Sequence, residues 1–219
     1  MGVFRYISND EKDKVINELR KNYPNVSYYL NFNGPLQLLV AAILSAQTRD
    51  TVVNNVTPEL FKAYKNAKDF AEAKKSELLK LISRVSFADK KADNIISACR
   101  IIEEEYGGKV PANMDELLKL PGVGRKTANT ILINAFGIVE GIPVDTWVLK
   151  LAYRIGFSKS TKPEEVEQDL MKQVPKQYWK DFSYVLKEHG HKICNSQLPL
   201  CSECFIKEIC PKNGVEKKG

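Results

Sequence analysis

An all-α fold is predicted for this 219-residue chain from three features. Helical periodicity recurs from end to end, convincing period-two alternation is absent, and glycine or proline falls where the periodicity breaks. Ser8 and Asp10 stand ready to cap a first helix that turns Val15, Ile16 and Leu19 inward. Residues 35–46, PLQLLVAAILSA, are apolar on nearly every side, as suits a helix in mid-core. Val52, Val53, Val56, Leu60, Phe61 and Tyr64 mark the next helix, and shorter ones fit 67–73 and 75–83. In KKADNIISACRIIEEEY, Ala92, Ile95, Ile96, Cys99 and Ile102 recur at helical spacing. Helix 126–136 carries Ala128, Ile131, Leu132, Ala135 and Phe136 on one face, with Gly137 as its stop. Helix 145–155 repeats the design with Val148, Leu151, Ala152 and Ile155 ahead of Gly156. Pro163 opens another helix at its first turn, and Tyr178, Phe182, Val185, Leu186 and His189 stripe the last long one. Only YYLNF at 28–32 hints at extended chain.

The length suffices for one large core or two modest ones. No apolar run approaches the roughly 20 residues of a membrane helix. The N-terminus, MGVFRYISNDEKDK, lacks the apolar centre of a secretory signal. No membrane association is expected, and the compartment is the cytoplasm, or the nucleus if the source is a eukaryote. A net charge of +6, from 33 basic and 27 acidic residues, mildly favours an anionic partner. A short basic tail follows Pro211.

Five cysteines, an odd number in an intracellular chain, argue against a disulfide framework. Cys99 reads as a core thiol. The other four, Cys194, Cys201, Cys204 and Cys210, form C-x6-C-x2-C-x5-C and make a soft-ligand metal site. On spacing alone, tetrahedral zinc and an iron–sulfur cluster suit them equally. His189 and His191 lie near, but four thiolates already complete a shell; His189 is expected to pack on its helix and His191 to face solvent. Lys192, Lys207 and Lys212 surround the ligands. A loop with little apolar content needs the metal as its cross-link, and once fixed it can present Lys207 to an anionic partner.

In MDELLKLPGVGRKTANTILINAF, two helical segments flank the tight turn Pro121-Gly122-Val123-Gly124. Glycines there permit positive φ and close approach of a ligand. The second helix opens with amides that suit a phosphate oxygen, and Arg125 and Lys126 add positive charge. A plain helix–helix connection is the other reading. No strand precedes the turn, so it matches neither a P-loop nor a dinucleotide fingerprint. At 19 residues beyond Lys126, Asp145 stands where a helix begins, either as a simple cap or as a functional carboxylate. A deprotonated lysine forms Schiff bases at sugar carbons, and a carboxylate stabilises an oxocarbenium-like centre.

Leu120-Pro-Gly-Val-Gly-Arg-Lys-Thr-Ala128, then Val144-Asp145-Thr146, then the four-cysteine loop, in that order, resembles the signature of the endonuclease III family, DNA base-excision glycosylases with a helix-hairpin-helix motif. LNFNGPLQLLVAAILSAQTRD at 30–50 resembles the family's second helix and DNA-facing loop, and the likeness runs through nearly the whole chain. It implies a six-helix domain at 28–138 and a cluster domain made of 1–27 with 139–219. It further implies a [4Fe-4S] cluster on the four cysteines, Lys126 as nucleophile and Asp145 as supporting carboxylate.

By the same resemblance, Gln47 fills the gap left by a flipped base and Phe87 takes the slot of an apolar wedge. For Phe87, core packing under a loop is the alternative. Gly122, Val123, Gly124 and Arg125 form the DNA-binding hairpin. The substrate implied is double-stranded DNA with damaged bases or abasic sites, bound by a monomer. A lysine at 126 implies combined glycosylase and lyase action on oxidised pyrimidines such as thymine glycol. A base-only mismatch glycosylase, a DNA-responsive iron–sulfur redox protein and a zinc-bound DNA module are the competing readings. Three departures stand out: Ser86 and Ala88 replace the usual glycine and aromatic around the wedge, and Trp147 stands where a histidine is frequent.

Overall fold

A computed structural model describes residues 3–216; Lys217 and Lys218, the end of the basic tail, lie outside that range. In chain order the α-helices are α1 (Asn9–Asn22), α2 (Gly34–Ser45), α3 (Asp50–Ala63), α4 (Ala67–Ala71), α5 (Lys75–Ile82), α6 (Ala88–Tyr106), α7 (Met114–Leu118), α8 (Arg125–Ile131), α9 (Thr146–Ile155), α10 (Pro163–Gln173) and α11 (Trp179–Lys192). No strand occurs among the described residues, so the all-α expectation holds. Two compact units result: Tyr29–Glu140, and the chain up to Tyr28 joined with the chain from Gly141.

The Tyr29–Glu140 unit is built round α2. Seven successive residues of that helix, Leu38 to Leu44, are buried, because α3, α6 and α8 all pack on it. At roughly 2 kcal/mol per fully buried Leu or Ile, this helix is the unit's main hydrophobic asset. Residues 28–32 do not form a strand. The Asn54 side chain takes the place of a strand partner, accepting from Asn31 N–H and donating to the Tyr29 carbonyl. The helix expected over 126–136 is α-helical only to Ile131 and closes as a π turn over Leu132–Phe136. Thr130 Oγ1 donates to the Lys126 carbonyl and Asn134 Nδ2 to the Thr130 carbonyl, so side chains compete with the ladder there. Gly137 ends it at φ 69°, as its position in the sequence predicts.

In the other unit, α1 begins with a capping box: Ser8 Oγ accepts from Glu11 N–H, and the Glu11 carboxylate accepts from Ser8 N–H. Such a cap contributes about 1 kcal/mol. Val15, Ile16 and Leu19 of α1 join Leu151, Ile155, Phe157, Leu170, Phe182 and Leu186 in one core, which also takes in Cys204 and Ile206. The cysteine loop therefore carries apolar anchors of its own, contrary to the expectation of a loop poor in them.

Candidate functional site

The hairpin lies between α7 and α8. Asn113 caps α7 through Glu116 N–H, and Val123 N–H closes the turn on the Leu120 carbonyl. Val123 is buried and anchors the turn, whereas Gly122 and Gly124 are exposed. The two glycines serve different ends. Gly122 has φ +83°, and a Cβ there would sit 3.0 Å from the Asn94 side chain. Gly124 has an ordinary negative φ and open space about it, so nothing inside the chain demands glycine. Its bareness suits close approach of a ligand from outside. Gly124 is also the N-cap of α8, which puts Arg125 and Lys126, both half-buried, in the first turn. Opening amides of a helix lack intrahelical acceptors and favour anions.

Gln47 and Phe87 share an unusual backbone state. They have φ values of 54° and 56°, left-handed conformations that cost on the order of 1–3 kcal/mol in residues other than glycine. Both are exposed, Phe87 by 66%, which decides against core packing for that ring. Gln47 follows the end of α2, and Phe87 is the N-cap of α6. Thr48 joins the two loops, since its Oγ1 accepts from Ser86 N–H at 3.1 Å and from Lys91 Nζ at 3.0 Å.

Lys91 was not singled out in the sequence. Its ammonium also donates to the Leu44 and Ala46 carbonyls. Burial pulls it down from the usual lysine value to about 8, against oxygen acceptors that favour the charged form. The available signal was positional: residues 91, 95, 98 and 102 share one helix face, and the last three are Ile, Ala and Ile.

In the other unit, Asp145 is the N-cap of α9. A single oxygen, Oδ1, accepts from both Trp147 and Val148 N–H at 2.9 Å. The capping reading is thus correct as geometry, and it leaves Oδ2 for other work. Trp147 lies edge-on to the His191 ring, with Lys150 over its face at 5.5 Å. It packs onto α11 at Gly190, where a Cβ would fall 2.4 Å from the indole. Gly190 is thereby fixed by the tryptophan, a dependence visible only in three dimensions.

The four cysteines line one cavity together with Arg154, His189, Leu200 and Ile206. Burial pushes the thiols of Cys194, Cys204 and Cys210 up, the last to about 11. Two groups lie against them, Arg154, which the sequence did not mark, and His189, which it placed only on its helix. Arg154 is buried and donates to the Cys194, Asn195 and Ser196 carbonyls and to Cys194 Sγ at 3.4 Å. His189, also buried, shares a hydrogen bond with Tyr23 Oη through Nδ1 and lies 3.6 Å from Cys204 Sγ through Nε2. It does more than pack on its helix. Burial lowers His189 to about 4, so it is neutral at neutral pH. His191 is exposed as expected. Lys207 is exposed too, and its ammonium donates to the Ser202 carbonyl within the loop. Cys99 stays in the core of the first unit, where burial raises it to about 12.

The hairpin with its lysine, the Asp145 cap and the four-cysteine loop, in that order along the chain, together point to a class. Residues 40–176, more than half of the chain, match the model of the HhH-GPD superfamily of base excision DNA repair proteins. Endonuclease III of Synechocystis is 48% identical over 193 residues, 88% of each chain. That of Escherichia coli K12 is 36% identical over 197 residues, 90% of this chain and 93% of its own. A trapped endonuclease III–DNA covalent intermediate superposes with a TM-score of 0.90 at 36% identity, covering 94% of this chain and 97% of that one. The chain belongs to the endonuclease III family within that superfamily.

Proposed function

We propose that this protein is a base-excision DNA glycosylase and AP lyase that removes oxidised pyrimidines such as thymine glycol and nicks the strand 3′ to the resulting abasic site. The observation that carries the reading is Lys126, in the first turn of the helix opened by the glycine hairpin, in a chain similar along nearly its whole length to one trapped covalently on DNA. A family member without that lysine has no amine to form an imine and releases the base alone.

The chemistry divides among the chain's own groups. The Lys126 Nζ, deprotonated, bonds to the sugar C1′ as the glycosidic bond breaks, and the base leaves with the electron pair and takes up a proton. Ring opening yields an imine, loss of a C2′ proton then breaks the C3′–O bond, and hydrolysis frees the lysine. Asp145 offers Oδ2 to the positive charge that develops at C1′, while Oδ1 stays on the helix amides. Gly122, Val123, Gly124 and Arg125 hold the phosphate backbone. Gln47 and Phe87, both exposed, enter the duplex as the damaged base leaves the stack. A DNA substrate supports the cytoplasm of a prokaryote or the nucleus of a eukaryote as the compartment.

The four cysteines are proposed to hold a [4Fe-4S] cluster. All four cysteines line one void. An all-thiolate donor set is the ligand set that iron–sulfur clusters use, and the likeness of the chain to endonuclease III favours that cluster over tetrahedral zinc. When bound, the cluster supplies a covalent cross-link for the loop. Around it, Arg154 and His189 orient the loop, and Lys207 meets DNA phosphate.

Borohydride trapping on duplex DNA with one thymine glycol tests the reading. The native protein gives a covalent adduct and Lys126→Gln gives none, with lyase turnover reduced by on the order of 10³-fold or more, as when other covalent nucleophiles are removed. Base release without any trappable adduct from the native protein would restore the monofunctional alternative.

A further inference from the structure

Lys91 has no part in the chemistry above, yet it is the only buried lysine among the described residues. A buried ammonium without a counter-ion is costly, so its presence calls for a reason. Its neighbours on α6, Asp89 and Asp93, turn to Lys75 instead. What the ammonium meets is the Leu44 carbonyl at 2.7 Å, the Ala46 carbonyl at 2.5 Å and Thr48 Oγ1 at 3.0 Å. The last carbonyls of a helix lack intrahelical donors and carry the negative end of its dipole, so α2 provides the partner that no carboxylate does.

The positions flanking these contacts are the informative ones. Gln47 lies between Ala46 and Thr48, and both of those residues accept from Lys91. On the other side, the Phe87 carbonyl accepts the Lys91 amide at 3.1 Å, while Ser86 N–H is held by the same Thr48 hydroxyl. One residue thus grips both loops that present a left-handed, exposed side chain. Strained conformations persist only where the surroundings over-determine them, and here Lys91 does so for both at once.

We infer that Lys91 is a positioning residue whose ammonium locks the 46–48 loop directly and the 86–87 loop through the shared Thr48 hydroxyl, so that Gln47 and Phe87 stand as a preorganised pair to enter the duplex. This rests on the reading that the chain extrudes a damaged base. Preorganisation matters because displacing a stacked base is already uphill, and loops that had to order at the same moment would raise the barrier further.

The test compares the native protein with Lys91→Met, which keeps the stem and removes the donors. Single-turnover excision of thymine glycol is measured in a fully paired duplex and in a bulge where the lesion is already unpaired. The paired rate falls about tenfold or more and the bulge rate less than about threefold, since misplacement by an ångström costs on that scale only where positioning limits the step. Adding Gln47→Ala to Lys91→Met lowers the paired rate little further, because coupled residues are not additive. Amide exchange at 47–48 and 86–88 rises in Lys91→Met while the interior of α2 keeps its protection. An equal fall on both substrates, or unchanged exchange in the two loops, would overturn the inference. If Lys91→Met fails to fold, Thr48→Val removes only the shared acceptor and gives the same split in weaker form; no split there counts against it. Inactivity of the native protein on both substrates defeats the repair reading, while the exchange measurement still decides whether Lys91 locks the loops.

Discussion

In the Tyr29–Glu140 unit, the exposed candidate residues sit on loops of a few residues gripped from beneath: Gln47 and Phe87 by Lys91 and Thr48, and the hairpin by buried Val123. In the other unit, the four thiols lie on a long run of turns after α11 in which, among the described residues, only Pro199, Cys204, Ile206 and Asn213 are buried, with Arg154 holding its first carbonyls. One unit places its groups with backbone geometry inside a helical core. The other places them with scattered anchors and sulfur. Groups that must act on a substrate are better served by the first arrangement, and groups that must gather a metal by the second, because the metal itself completes the order.

The largest effect should come from breaking the sulfur side. Cys204→Ser removes a proposed cluster ligand that also belongs to the hydrophobic core, so amides across 193–213 are expected to lose protection from exchange. The expected structural cost is several kcal/mol, the scale on which a bound metal supports a loop. Helices α2 and α6 keep their protection, and a loss spread evenly over both units would erase the contrast.

Asp145 offers a sharper cut, because the proposed chemistry assigns it Oδ2 while the fold uses Oδ1. Asp145→Ala loses the α9 cap and about 1 kcal/mol. Asp145→Asn retains a capping oxygen and changes stability by less than about 0.5 kcal/mol, yet excision falls with the charge. Melting temperature and single-turnover rate, measured on both variants, separate the two roles. Parallel losses in both quantities would reduce Asp145 to a cap.

The smallest effect tests the gripped loops, and its sign is unusual. Gln47→Gly relieves a left-handed backbone, so stability in urea rises by roughly 1 kcal/mol while excision from paired duplex drops. A destabilised variant would mean that the Gln47 side chain supports the fold.

How much of this was legible follows from what each feature depends on. Helix α2 shows itself because burial on every side leaves an unbroken apolar run, and Gly137 and Gly156 mark stops that local conformation requires. The hairpin, Asp145 and the cysteine spacing carry their chemistry in local sequence as well. Left-handed Gln47 and Phe87 carry no such mark, since glycine is the usual signal and neither is glycine. Lys91 reads as one more charge in a lysine pair until α2 supplies its acceptors. The π turn of 132–136 and the dependence of Gly190 on Trp147 arise from contacts the one-dimensional pattern does not hold.

In the proposed function the covalent chemistry belongs to Lys126 and the thiol loop only holds. Peptide mapping of the borohydride-reduced adduct by mass spectrometry addresses this division directly. The sugar remnant is expected on the peptide that contains Lys126 and on no other. A remnant on Lys91, Lys150 or a lysine of the cysteine loop would contradict it.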